Sequence, residues 1–176
     1  FDMSLLEEIP QWDTNMRLST LPTIEEVLAS IKQLTSGKAP GSDGIPPDIF
    51  KHGGTAIAQE LLKLFTMIWN EGGVPQDFKD ADLVHLYKNK GDIKCCDNHR
   101  GISLLCIPGK ILARLLLNRL FKHIDNIGLV PESQCGFRPG RGTTDMNFAL
   151  RQIMEKCKLY SEDLYLLFID LTKAFD

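Results

Sequence analysis

Two features that define other protein classes are missing from this sequence of 176 residues. No apolar run approaches the roughly 20 residues that a membrane-spanning helix needs. The first four residues, FDMS, do not place a basic stretch ahead of an apolar one, as a secretory signal peptide does. Without these features, we expect an intracellular protein that has no membrane partner. Because the chain also does not begin with Met, we expect it to be a fragment of a longer protein.

Regular cysteine pairs are missing as well. The five cysteines are odd in number, and Cys95 is adjacent to Cys96, which suits neither a disulfide framework nor a CxxC pair. We therefore expect reduced thiols. A small zinc-binding module built from Cys95, Cys96, His99 and Cys106 is an alternative that the spacing disfavours, because structural zinc sites usually present ligand pairs two to four residues apart.

An excess of positive charge, the common sign of a nucleic-acid binder, is missing from the chain as a whole, whose net charge is -3. Positive charge is nevertheless concentrated between residues 81 and 151, where eleven Lys and Arg stand against six Asp and Glu. Such asymmetry is expected where a polyanion docks. A solvated surface with chance clustering produces the same pattern, so charge alone leaves both alternatives open.

The hydrophobic pattern predicts a mixed helix and strand (α+β) fold. Residues 1–22 are expected to form a loose N-terminal arm, and Thr23 and Glu26 have the spacing of a capping box that opens a helix ending near Gly37. Further helices are expected over 47–51, 55–70, 108–127 and 143–158, and strands over 81–88, 101–106 and 164–169. The continuous apolar run at 164–169 is typical of a strand buried on both faces.

Asp170 follows that predicted strand directly. A carboxylate held at the end of a rigid strand is well placed to bind Mg²⁺, which prefers oxygen ligands. Two-metal nucleotidyl transfer needs such carboxylates to activate the attacking hydroxyl and to neutralise developing charge. The simpler alternative is that Asp170 only ends a strand and caps the next turn.

Basic side chains mark two other segments. Arg138 and Arg141 lie in the Gly-rich run 136–142, and a guanidinium binds phosphate through its planar fork. The alternative for this run is an ordinary surface turn. The tip of the hairpin predicted over 81–106 is lined by Lys88, Lys90, Lys94 and Arg100. These side chains would either grip a triphosphate or simply keep the loop hydrated.

Six segments taken in order resemble successive blocks of the reverse transcriptases of non-LTR (LINE-type) retrotransposons. They are GKAPGSDGIPPDIFK (37–51), ADLVHLYKNKGD (81–92), DNHRGISLL (97–105), GKILARLLLNRL (109–120), ESQCGFRPGRGTTD (132–145) and LFIDLTKAFD (167–176). The resemblance covers about residues 23–176. It implies the α+β fingers and partial palm of a right-hand polymerase, with an arm over 1–22, fingers over 23–160 and the first palm strand over 161–176.

The resemblance implies an RNA-directed DNA polymerase, which adds dNTPs to a DNA primer 3′-OH on an RNA template with Mg²⁺. Asp170 matches the metal-binding aspartate of the family, and the backbone carbonyl of Leu171 would be a second ligand. Phe175 matches the aromatic residue that selects deoxynucleotides by clashing with a ribose 2′-OH. Asp176 matches the last residue of that block.

Other roles follow from the same resemblance. Arg100 matches an arginine that lies against the triphosphate, although His99 and Gly101 replace the aromatic residue and the proline that commonly flank it. Lys88 fits the basic partner on the opposing strand. Contact with the template is implied for Gly41, Asp43 and Gly44, and for Gln134, Phe137, Arg138 and Arg141.

The second catalytic block of the family, an aromatic-x-Asp-Asp hairpin, is not found in these residues, nor are the remaining palm and the thumb. Because two-metal chemistry needs carboxylates from both palm motifs, we expect the isolated chain to be inactive. The alternative from a different class is a non-catalytic remnant that at most binds nucleic acid through its basic middle segment. By family, the expected location is the cytoplasm and nucleus.

Overall fold

The computed structural model describes residues 14–171, which form a mixed helix and strand protein. The helices are α1 (Ile24–Lys32), α2 (Pro47–His52), α3 (Gly54–Glu71), α4 (Gln76–Lys79), α5 (Ile107–Ile127) and α6 (Thr143–Tyr160), and the strands are β1 (Ala81–Tyr87) and β2 (His99–Leu105). The chain divides into two compact units, Phe1–His123 and Ile124–Asp176. Among the described helices, none combines the length and the apolar character that crossing a membrane requires.

The first unit owes its core to apolar faces of α1, α2, α3 and α5. The buried core residues are Val27, Ile31, Phe50, Ala58, Leu61, Phe65, Ile68, Ile107, Ile111, Leu112 and Leu115. Within each long helix these positions recur every three or four residues, with Ile111 and Leu112 adjacent in α5, so they form one stripe that faces the neighbouring helices. Removal of this apolar surface from water is the main favourable contribution to the stability of the unit.

Helix α1 confirms the predicted capping box. The hydroxyl of Thr23 accepts the N–H of Glu26 at 3.4 Å, and the carboxylate of Glu26 accepts the N–H of Thr23 at 2.9 Å. The helix ends at Lys32, whereas the sequence predicted an end near Gly37. The next two backbone N–H groups bond to carbonyls only three residues back, which tightens the last turn and ends the α-helical ladder.

The prediction of a loose N-terminal arm is wrong for residues 14–22. The guanidinium of Arg119 donates to the carbonyls of Leu18, Thr20 and Leu21 at 3.2, 2.6 and 3.0 Å. The arm is therefore held against α5 by its main chain. A side-chain pattern carries little information about such an attachment, because backbone carbonyls are present at every position.

Strands β1 and β2 confirm the predicted antiparallel hairpin. Ala81 pairs with Leu105 at one end, and Tyr87 pairs with His99 at the other. Strand β2 ends at Leu105, one residue earlier than predicted. The carbonyl of Cys106 instead accepts the N–H of Lys110 at 3.2 Å, which places Cys106 at the start of α5.

The second unit contains α6, which confirms the helix predicted over 143–158, together with irregular segments on either side. No residue of α6 is buried. The strand predicted over 164–169 is wrong, since residues 162–171 form neither helix nor strand. A strand needs a neighbour for its backbone N–H and C=O groups, and residues 124–171 include no other strand. The side chains of Phe168 and Ile169 are 80% and 78% exposed.

Candidate functional site

The β1–β2 hairpin brings Lys88 and Arg100 together. Arg100 lies opposite Leu86 in the sheet register, and Lys88 follows β1 with its N–H bonded to the carbonyl of Asn98 at 2.8 Å. Side chains alternate between the two faces of a strand, so Lys88 and Arg100 project from the same face. Both residues are exposed. The ammonium of Lys88 donates to the carbonyl of Asp97 at 2.8 Å and retains further donors.

The connection between the strands, residues 88–98, is shaped by its own polar groups. The side-chain amide of Asn98 donates to the carbonyl of Asp92 at 2.8 Å. Gly91 has a φ of +78°, and a Cβ placed there would lie 2.5 Å from the side-chain nitrogen of Asn98. A side chain at position 91 would therefore strain the backbone and displace the amide of Asn98. Two further cations, Lys90 and Lys94, are exposed on it.

The opposite face of the hairpin carries a cluster of three aromatic rings that the sequence did not predict. The ring of His99 lies 5.4 Å from that of His85 and 5.5 Å from that of Tyr87, measured between centroids. Alternation along β1 places His85 and Tyr87 on one face, and the register places His99 opposite Tyr87. Period-two spacing, read with the predicted pairing, was the signal that would have found them.

The loop predicted to lie near the template is anchored to the base of the hairpin. Gly41 is buried, and a Cβ there would lie 2.5 Å from the backbone nitrogen of Cys106 and 2.6 Å from the carbonyl carbon of Leu105. The N–H of Gly44 bonds to the carbonyl of Gly41 at 3.0 Å, and the carboxylate of Asp43 accepts the N–H two residues along at 3.1 Å. These three residues therefore shape the loop.

A second contact closes the same loop from its other side. The carboxylate of Asp48 accepts the N–H of Gly37 at 3.1 Å, and this hydrogen bond holds the pKa of Asp48 below its usual range, with help from the hydroxyl of Ser36. That hydroxyl also accepts a hydrogen bond from the ammonium of Lys51 at 2.9 Å. The loop thus has fixed attachments at both ends.

The Arg-rich segment, residues 136–142, lies in the second unit. One carboxylate forms ion pairs with both of its guanidiniums. Glu132 bonds to Arg138 at 3.0 Å and makes a short ion pair with Arg141. Phe137, which precedes Arg138, is 91% exposed and has a φ of +57°. The side chain of Gln134 donates to a backbone carbonyl two residues along at 2.9 Å. A phosphate at this segment would have to compete with Glu132.

Asp170 and Leu171 also lie in the second unit, and both are exposed. Within residues 14–171 no three His, Cys, Asp or Glu side chains come together in a way that would hold a metal ion. One carboxylate and one carbonyl do not complete the octahedral oxygen shell that Mg²⁺ requires. Phe175 and Asp176 lie outside the described residues.

The four residues of the zinc alternative are not gathered into a site either. Cys95 and Cys96 are exposed, whereas Cys106 is buried at the start of α5. The ring nitrogen Nδ1 of His99 is hydrogen-bonded to the carbonyl of Cys95 at 3.1 Å. These positions give the described residues no tetrahedral ligand set.

Comparison with known proteins identifies relatives along most of the chain. The RNA-directed DNA polymerase of the mobile element jockey from Drosophila melanogaster is 33% identical over 159 residues, which is 88% of this chain and 17% of that protein. A Pol polyprotein of the type-1 retrotransposable element R1 from Bradysia coprophila is 31% identical over 87% of this chain and 15% of its own length. A 149 kDa protein of transposon TX1 from Xenopus laevis is 27% identical over 91% of this chain and 12% of its own length.

The chain therefore spans less than a fifth of each of these relatives. A family profile described as reverse transcriptase (RNA-dependent DNA polymerase) matches residues 87–176, which is just over half of the chain. The matched region begins at the end of β1 and includes Lys88, Arg100 and Asp170. On these grounds the chain belongs to the reverse transcriptase family, as a segment of the type that non-LTR retrotransposons encode.

Proposed function

We propose that residues 23–160 form the fingers of an RNA-directed DNA polymerase and that residues 161–176 begin its palm. The whole protein would add dNTPs to a DNA primer on an RNA template. The observation that carries this proposal is the pair formed by Lys88 and Arg100, two exposed cations on one face of an ordered hairpin. The resemblance of the blocks around them to the family supports the same assignment.

The chemistry explains why such a pair is useful. In nucleotidyl transfer the primer 3′-oxygen bonds to the α-phosphorus of the dNTP, the bond to the bridging oxygen breaks, and pyrophosphate leaves with the electron pair. Negative charge grows on the leaving group, so fixed cations stabilise the transition state. We assign this task to Arg100, whose guanidinium offers a bidentate fork, with Lys88 as its partner.

The remaining assignments rest on the family blocks. Asp170 and the carbonyl of Leu171 would contribute oxygen ligands to Mg²⁺, which supplies charge neutralisation when bound, and Phe175 would exclude ribonucleotides. Gly41, Asp43 and Gly44 would shape a loop beside the template. Template contact is also proposed for Gln134, Phe137, Arg138 and Arg141.

The test uses a longer protein in which residues 1–176 are followed by the palm and thumb of the jockey relative. Arg100→Ala should reduce kcat/KM for dNTP about 10- to 150-fold, the equivalent of the roughly 1.5–3 kcal/mol that a hydrogen bond to a charged group contributes. Template affinity should stay unchanged. Arg151→Ala, which removes an exposed arginine of α6, is the matched control.

Equal activity of the Arg100→Ala and Arg151→Ala proteins would remove Arg100 from the triphosphate site. Residues 1–176 alone should incorporate no more dNTP than the same chain with Asp170→Asn, because they contain only one palm carboxylate motif. Incorporation above that control would contradict the proposed division between fingers and palm.

A further inference from the structure

Two histidines from different strands lie side by side on the hairpin, on the face opposite Lys88 and Arg100. The ring centroids of His85 and His99 are 5.4 Å apart, and the ring planes are inclined at 67°. His99 pairs with Tyr87, and His85 lies two residues earlier in β1. Such diagonal neighbours on one face of an antiparallel pair are within reach of each other. Neither the triphosphate nor the template assignments use these rings.

A backbone carbonyl orients the ring of His99. Its Nδ1 lies 3.1 Å from the carbonyl oxygen of Cys95. Because that oxygen can only accept a hydrogen bond, Nδ1 is the donor, and the neutral ring presents the lone pair of Nε2. The ring of Tyr87 packs beside it, at 5.5 Å between centroids. Histidine ligands of metal ions are commonly held in this way, with the second nitrogen donating to a carbonyl or a carboxylate.

The separation of the two rings fits a shared metal ion. An ion about 2.0 Å from an imidazole nitrogen lies roughly 3.2 Å from the centroid of that ring. Two rings bound at a tetrahedral angle then have centroids about 5.2 Å apart. The observed 5.4 Å between His85 and His99 is close to this value, so small side-chain rotations are enough to bring both nitrogens to one ion.

We propose that His85 and His99 bind one divalent ion of the late transition metals, Zn²⁺ being the one tested, and that this ion joins β1 to β2. Nε2 of His99 and one ring nitrogen of His85 are its protein ligands. No group of three His, Cys, Asp or Glu side chains forms a metal site within residues 14–171, so water completes the shell and the ion is exchangeable. Imidazole suits Zn²⁺, Cu²⁺ and Ni²⁺, whereas Mg²⁺ prefers oxygen ligands.

The experiment titrates zinc chloride into tag-free residues 1–176 by isothermal titration calorimetry, with MgCl₂ in excess. Exposed thiols also bind Zn²⁺, so the Cys95→Ser/Cys96→Ser variant is titrated as well. It should still bind one ion per chain. In that background His85→Ala and His99→Ala should each weaken binding at least roughly tenfold, the smallest loss expected when a supporting group of a metal site is removed. Absence of binding in the serine variant would make the thiols the ligands and would overturn the proposal.

His52→Ala is the matched control for these two variants. His52 is also exposed, and its Nδ1 likewise lies near a backbone carbonyl, that of Asp48, at 2.8 Å. Among the described residues, however, the ring contacts pair His85 with His99 and leave His52 out. Zinc affinity should be unchanged in this control. An equal loss in all three histidine variants, or displacement of Zn²⁺ by Mg²⁺, would mean that the pair is not a site.

A second measurement tests the link between the strands. An ion that binds only the paired hairpin reduces the open fraction by the factor 1 + [M]/Kd. At an ion concentration about 100 times Kd, the hydrogen-bonded amides of β1 and β2 should therefore exchange roughly 100-fold more slowly. Amides of α3 should not change. Binding without slower exchange in the strands would contradict an ion held between them.

Nuclear magnetic resonance of the imidazole nitrogens keeps the test independent of the alanine variants, should one of them not fold. Zn²⁺ should shift Nε2 of His99 and one ring nitrogen of His85 and leave His52 and His123 unchanged. Shifts confined to His52 or His123 would overturn the assignment. The inference does not depend on polymerase activity, and none of these measurements uses dNTP incorporation, so its failure and that of the Arg100→Ala test are distinguishable.

Discussion

The two compact units bury their apolar residues to very different extents. Phe65 of the first unit is fully buried, whereas Phe168 of the second is 80% exposed. Within residues 124–171 the only buried residue is Cys135. The apolar content of the two stretches is not the cause, because both contain runs of Leu, Ile and Phe.

The difference lies in what each segment has to pack against. In the first unit α1, α3 and α5 present stripes that cover one another. Within residues 128–171 of the second unit, the described elements are limited to α6, which has no buried residue, and the apolar segment 164–169 forms neither helix nor strand. A single helix or strand provides only one apolar surface. Its apolar residues become part of a core only when another element of the fold covers that surface.

The largest expected effect tests this contrast with a matched pair of substitutions. Phe65→Ala should lower the free energy of unfolding by about 3–5 kcal/mol, because it removes a buried ring and leaves a cavity. Phe168→Ala should change it by less than about 0.5 kcal/mol, as expected for an exposed position. Urea unfolding followed by circular dichroism measures both. Similar losses for the two variants would mean that Phe168 is covered in solution.

The helices and the hairpin could be predicted because their signals are local. Helix α3 was placed within one residue at each end, since Gly72 and the residues beside it stop the apolar period there. The pairing of β1 with β2 followed from two apolar runs around a polar, glycine-containing connection. Such features depend on residues close in sequence, which a pattern reports directly.

The errors and omissions concern the partners that a segment finds in the fold. The apolar run at 164–169 indicated a buried strand, but a run of this kind does not reveal whether a neighbouring strand is available. The sequence also did not show that Glu132 would pair with both Arg138 and Arg141, whose contact with the template stays a prediction. The sequence did not indicate that Arg119 anchors the arm, because its partners in the arm are backbone carbonyls.

The second prediction concerns that anchor. Arg119 forms a bidentate pair with Glu26 at 2.6 and 2.7 Å, with side-chain exposures of 11% and 32%. It also lies over the ring of Trp69, 5.2 Å from the centroid. Arg119→Gln should lower the free energy of unfolding by about 2–3 kcal/mol, since several hydrogen bonds to charged groups are lost in a partly buried site. The matched control is Arg151→Gln, which removes an exposed arginine of α6.

The same pair predicts a pH dependence. Its hydrogen bond with Arg119 lowers the pKa of Glu26 below its ordinary value. The stability that this carboxylate contributes is therefore complete above its unfolded pKa and is lost as the pH falls through its folded pKa. Between about pH 5 and pH 3, the unsubstituted chain should lose more stability than Glu26→Gln. Parallel pH profiles for the two proteins would show that Glu26 is not the linked group.

The third prediction uses the exposed apolar segment of the second unit. Tyr165, Leu167, Phe168 and Ile169 are all at least 78% exposed, and proline-free apolar segments of this kind recruit other chains. Residues 1–176 should therefore self-associate with rising concentration in size-exclusion chromatography with light scattering. Leu167→Glu/Ile169→Glu and residues 1–160 should both remain monomeric. A monomeric unsubstituted chain, with slow hydrogen exchange over 164–169, would mean that the segment is covered.

The smallest expected effect is a change in RNA affinity that distinguishes Arg100 from the paired Arg138 and Arg141. Arg100 is exposed on the hairpin, whereas Arg138 and Arg141 share the carboxylate of Glu132. Removing that carboxylate should release two guanidiniums for phosphate. Glu132→Gln should therefore raise oligouridine affinity at about 0.1 M salt, by up to roughly fivefold for each arginine that then contacts a phosphate. The glutamine amide still accepts a hydrogen bond, so part of the restraint remains.

Glu155→Gln is the matched control for this last change, since it removes the same charge from an exposed position of α6 in the same unit. Both variants make the net charge less negative by one, so any general electrostatic gain appears in each. A gain specific to Glu132→Gln would also steepen the salt dependence, because additional phosphate contacts release additional counterions. Equal gains and equal slopes would mean that the Arg-rich segment is a structural turn whose ion pairs serve only to hold its shape.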